Sequence, residues 1–78
     1  MKISDFTMPE IRLLLAECNF TKDEEALFVL RAQDVPLEMC AEHLNVSVKT
    51  VDRLHSKVKD KIRRVTNEMY QNGFARRV

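Results

Sequence analysis

The chain has 78 residues, 45% apolar and 32% charged, with one glycine, two prolines and a formal net charge of +1. That size suits one domain, and so little glycine and proline predicts helices joined by short turns. Cys18 and Cys40 are too few for a disulfide framework, no apolar run is long enough to span a membrane, and the first residues lack the basic start and unbroken apolar core of a signal peptide, so a cytoplasmic protein is expected.

Four helices account for nearly the whole chain. Thr7-Met8-Pro9-Glu10 announces the first as a capping box with a proline in the opening turn, where a missing amide hydrogen costs least. Phe6 before the cap and Ile11 within the helix are spaced as a hydrophobic staple. Ile11, Leu14, Leu15 and Cys18 then recur at i, i+3, i+4 and i+7, a single apolar stripe.

The second helix repeats the start signal with Thr21-Lys22-Asp23-Glu24. Ala26-Leu27-Phe28-Val29-Leu30 is apolar on every side, which predicts the central, most buried helix. Gln33-Asp34-Val35-Pro36 should end it, because a residue before proline avoids the helical region. A short third helix is expected from about Leu37 to Leu44. The fourth begins at Ser47 and meets no breaker before Asn72-Gly73, about six turns and 36 Å. Residues 74–78 should fray. There are no internal repeats, low-complexity segments or linkers.

On the fourth helix Val51, Leu54, Val58, Ile62, Val65 and Met69 fall within an arc of roughly 80°. So narrow a seam suits a helix lying along others, and the stripe on the first helix is the expected cover for its later residues. The end of the seam, around Val65, Met69 and Tyr70, is also where a homodimer contact would form if it were not taken up by packing within the chain.

Charge is segregated behind the small net value. Residues 1–46 carry four bases against nine acids, a balance of −5, and residues 47–78 carry nine against three, a balance of +6. The basic half begins where the fourth helix begins, so a polyanion partner is expected there.

The segment from Leu37 to Leu54 carries a helix-turn-helix pattern. Cys40, Leu44, Val46, Val51 and Leu54 are apolar positions that clamp two short helices, and Ala41 sits where they cross most closely. Asn45 falls at the bend, where the backbone goes left-handed and asparagine is second only to glycine. Ser47 offers an oxygen to the orphan amides of the next helix.

Opposite the apolar seam Lys49, Asp52, Arg53 and Ser56 share an arc of about 100° and are the candidates to face base edges. A guanidinium at Arg53 can donate twice to guanine O6 and N7. Asp52 either accepts from cytosine N4 or orders Lys49 and Arg53 through ion pairs. Ser47, Thr50, Lys57, Lys61 and Arg64 suit phosphates, which position a protein without reading sequence. Cys40-x-x-His43 with His55 and Cys18 is a poor metal set, since Cys40 holds a clamp position and no second close-spaced ligand pair exists. No cofactor motif, nucleophile constellation or glycine-rich loop is present, so no enzymatic activity is expected.

From Phe20 to about Val65 the chain resembles region 4 of bacterial sigma factors and, more loosely, the output domains of LuxR-type regulators. F-T-K-D-E-E-A-L-F-V-L-R is similar to the family's opening, and V-P-L-E-M-C-A-E-H-L-N-V-S-V-K-T-V-D-R-L-H-S-K-V-K-D-K-I to its helix-turn-helix and basic tail. The resemblance implies promoter contacts at Val48, Lys49, Asp52 and Arg53, although Val48 and Asp52 stand where the family often has arginine or another polar donor. It also implies a module able to dock on RNA polymerase. With no room for a DNA-opening domain, the chain is similar to small free-standing products of phages and mobile elements.

The expectation is thus an all-α, four-helix domain spanning residues 1–78, with a helix-turn-helix at about 37–57 and a long C-terminal recognition helix. It would act as a double-stranded DNA-binding transcription regulator. The rival is a protein-interaction adaptor for RNA polymerase or a sigma factor, using the acidic residues Asp23, Glu24, Glu25, Asp34, Glu38 and Glu42.

Overall fold

A computed structural model describes residues 3–71 of the chain, with side chains described through Asn67. Among these residues there are no strands. A 3-10 turn at Ile3–Asp5 precedes α1 (Met8–Glu17), α2 (Lys22–Ala32), α3 (Leu37–Leu44) and α4 (Val48–Gln71).

The helix starts follow the capping signals. Thr7 N–H donates to Glu10 Oε1 at 2.7 Å while Glu10 N–H donates to Thr7 Oγ1 at 3.4 Å. Thr21 and Glu24 make the same reciprocal pair at 2.9 and 3.3 Å. Two orphan amides are satisfied at each start. Ser47 Oγ accepts the Thr50 amide at 3.1 Å at the head of α4 and lies 3.0 Å from Thr50 Oγ1. Pro36 precedes α3 in extended geometry with no side-chain cap.

The helix ends share one device. Asn19, Asp34 and Asn45 have φ of 54°, 64° and 58°, and each directly follows or closes a helix. After α2, Val35 N–H reaches back to Leu30 O and Asp34 N–H to Arg31 O. After α3, Val46 N–H reaches Ala41 O and Asn45 N–H reaches Glu42 O. This is the paired-bond closure of a left-handed helix end, here built without glycine. Helix α2 therefore ends at Ala32, capped by Gln33 and closed by left-handed Asp34, ahead of the Val35-Pro36 step on which the sequence expectation rested.

One core joins all the helices. Ile11, Leu14 and Cys18 of the α1 region, Leu27 and Phe28 of α2, Cys40 and Ala41 of α3, and Val51, Val58, Ile62 and Val65 of α4 are all buried. The Phe20 and Phe28 rings meet tilted at 5.1 Å between centroids. Leu44, Val46 and Leu54 pack partly buried against this cluster.

Two expectations need correction, one buried residue lay outside every pattern, and one open alternative is decided. Helix α2 is not covered on every side, because Val29 is 37% exposed while Leu27 and Phe28 are fully enclosed. It nevertheless forms the principal packing surface for α4, more than α1 does. Ile3, which belongs to no periodic pattern, is buried through packing of its turn on α2. Val65 lies in the chain's own core at 7% exposure, so it is not open to a second copy; the side chains of Met69 and Tyr70 fall outside the described residues.

Candidate nucleic-acid interface

Helix α4 sorts its side chains by rotation. At about 100° per residue, the buried positions Val51, Val58, Ile62 and Val65 share one face with half-buried Leu54. The opposite face of the first turns carries Lys49, Asp52, Arg53 and Ser56, with Val48 at its edge, and all five are exposed. Val48 is an apolar side chain left 52% open to solvent. Among the described residues Lys49, Asp52, Arg53 and Ser56 have no side-chain hydrogen bond or ion pair within the chain. Asp52 therefore does not hold Lys49 or Arg53 through a direct ion pair, which was one of its two expected roles.

This face is displayed by a three-residue connection, 45–47, between α3 and α4. Asn45 turns the chain left-handed and Ser47 closes the amides of α4, so both helix ends are fixed within three residues. Ala41 and Val51, both buried, belong to the core cluster that joins these two helices. The thiol of Cys40 is turned inward toward Val35 O at 3.6 Å, and burial pushes its pKa up. Cys18 is likewise enclosed, and burial pushes its thiol up to about 11. Among the described residues no three histidine, cysteine or carboxylate side chains come together as a metal-binding group.

The expected phosphate contacts divide. Thr50, Lys57 and Arg64 are exposed, as is Ser47. Lys61 is occupied differently. Its Nζ meets Glu24 Oε1 at 2.5 Å and donates to Asn19 O at 3.3 Å, tying α4 to the start of α2 and to the α1–α2 turn. Its charge is balanced inside the chain, so Lys61 leaves the set of free cations. Glu24, expected on the acidic surface, is the partner in this pair at 4% exposure and leaves that surface too. Burial alone would push its carboxyl up. The hydrogen bonds from Lys61 and from the Thr21 amide, with the lysine charge, outweigh that and hold it below the ordinary range.

Lys57, Lys61 and Arg64 come together with Asp60 around one open depression of about 370 Å³. Asp60 accepts from Arg63 Nη1 at 3.1 Å on the exposed side. On the other flank of α4, His55 and Lys59 are half-buried. Burial, then the Lys59 and Arg31 charges, push the His55 imidazole below its ordinary pKa, with Asp52 pulling the other way. Arg31 donates from Nη1 to Val35 O at 2.7 Å, while its Nε is buried without a partner among the described residues.

The capping box marks Glu24 in sequence, but its second partner lies 37 residues away and leaves no local signal. The influence of the Arg31 charge on His55 was likewise missed, since nothing in their spacing links α2 to α4.

No helix among the described residues is long and apolar enough to cross a membrane. No family model, curated protein or solved structure matches the chain.

Proposed function

We propose that the protein is a sequence-specific DNA-binding transcription regulator in which α3 and α4 act as a helix-turn-helix. The observation that carries this reading is the exposed face of Val48, Lys49, Asp52, Arg53 and Ser56 on the first turns of α4, with no partner among the described residues. A recognition helix needs such a face, because side chains spent on internal bonds cannot reach base edges. In this reading α4 enters the major groove by its N-terminal half. Arg53 and Lys49 donate to guanine, Asp52 accepts from cytosine N4, Ser56 takes either, and Val48 meets a thymine methyl. Ser47, Thr50, Lys57 and Arg64 meet phosphates.

The segregation of charge supports the same orientation. Seven of the nine bases of residues 47–78 lie on α4, while exposed Asp23, Glu25, Asp34, Glu38 and Glu42 lie on α2, α3 and their connection. That acidic surface favours a second reading, an adaptor that docks on RNA polymerase or a sigma factor through a basic patch of its partner.

Selection of bound sequences from a random duplex pool tests the first reading. One module contacts few base pairs, so a homodimer is part of the proposal and the recovered site should be an inverted repeat, with half-sites about 34 Å apart. Recovery of a defined motif whose binding weakens steeply with salt is the expected result. A folded protein that binds no duplex even at low salt overturns it in favour of the adaptor.

A further inference from the structure

The charges around the depression on α4 can be paired off. Lys61 is balanced by Glu24, and Asp60 by Arg63. That leaves Lys57 and Arg64 as the lining cations without a partner among the described residues. They stand at i and i+7, about 20° apart around the helix and about 10.5 Å apart along it. The common N-terminal lean of helical side chains does not close that offset, but both side chains line the same depression, with Arg64 over the turn that holds Lys61. Lys61 cannot swing away, since Glu24 and Asn19 O hold its ammonium.

We propose that Lys57 and Arg64 act together as a clamp on one phosphate group, seated in the depression they share, with Lys61 as its fixed floor. This rests on the DNA-binding reading and sharpens it. The clamp begins one residue beyond Ser56, the last of the base-facing set, and is centred about 80° around the helix from the middle of that face, just past Arg53, so it would grip a backbone oxyanion beside the groove rather than a base. Two cations without partners on one depression raise its positive potential above that of isolated surface cations, with the Asp60 carboxylate on the same wall offset by Arg63.

Counterion release gives the test. Binding to a mixed-sequence duplex is measured across salt for wild type, Lys57→Ala, Arg64→Ala and the double variant, each checked for an unchanged melting temperature. A shared phosphate predicts that each single variant leaves the salt slope nearly unchanged and that the double variant lowers it by about 0.9. Two independent contacts would lower it by about 0.9 for each single variant and about 1.8 for the double, and that pattern overturns the clamp.

Inorganic phosphate, followed by NMR at the Arg64 Nε–H and the Lys57 side chain, separates this proposal from the DNA reading. Both signals should shift together in wild type, and each response should vanish when the other residue is replaced by alanine. If that coupled response appears while no duplex binds, the DNA reading fails and the clamp stands as a site for a phosphorylated small molecule. If duplex binding is intact but the phosphate responses are uncoupled, the clamp fails and the DNA reading stands.

Discussion

The two halves of α4 share one buried seam and differ on their other faces. In the first half, Lys49, Asp52, Arg53 and Ser56 project without partners among the described residues. In the second, Lys61 is fastened across to Glu24 and Asn19 O, the Arg63–Asp60 and Thr66–Ile62 bonds stay within α4, and Lys57 and Arg64 have no partner among the described residues. The proposed recognition role asks for one part of the helix anchored and another uncommitted, and the anchor lies at Lys61. That tie holds α4 against α2 while the first turns stay open.

Substitutions can break this division or sharpen it. The largest effect is expected from unfastening the second half. Lys61→Met leaves the Glu24 carboxylate enclosed without its cation and should destabilise the fold by about 3 kcal/mol, the lower end for a broken buried pair because Lys61 keeps partial exposure. The same pair gives a pH signature. The carboxyl of Glu24 is held below its ordinary pKa by folding, so its contribution is full above the unfolded value and is lost as pH falls through the folded one. Thermal melts of wild type should therefore weaken toward acid more steeply than those of Glu24→Gln. Parallel acid profiles for the two would show that the pair does not anchor the helix.

Ala41→Leu attacks the junction that presents the open half. Overpacking at a site 5% exposed should cost about 1–3 kcal/mol in chemical denaturation. A variant as stable as wild type would mean that α3 and α4 have room between them, contrary to a close crossing.

Arg53→Ala sharpens the comparison from the other side. An exposed arginine without an intrachain partner among the described residues should leave stability within about 0.5 kcal/mol, while affinity for a selected DNA site falls by roughly 1–3 kcal/mol. A stability loss comparable to that of Lys61→Met would erase the distinction between the halves. The smallest effect is expected at the turn. Asn45→Gly should be neutral or slightly stabilising because φ there is 58°, and Asn45→Val should lose about 1–2 kcal/mol. Equal melting temperatures for these two variants would argue that the left-handed bend is not needed.

The sequence by itself determined what depends on neighbours in the chain. Thr7 with Glu10 and Thr21 with Glu24 announce helix starts because a capping box closes over three residues. The rotation of Val51, Val58, Ile62 and Val65 follows from helical periodicity alone, and so does the exposed face opposite them. Asn45 was legible as a left-handed turn from its place between two apolar helices, whereas Asn19 and Asp34, which do the same work, were not, since each could equally have been an ordinary polar loop residue.

What only the tertiary structure decided are the pairings across the chain. Ile3 against α2, Lys61 against Glu24 and the enclosure of Val65 depend on how α1 and α2 pack on α4. Periodicity tells which way a side chain points from its own helix. It carries no information on which helix stands opposite, so whether a lysine on α4 faces water, a phosphate or a buried carboxylate is settled by packing alone.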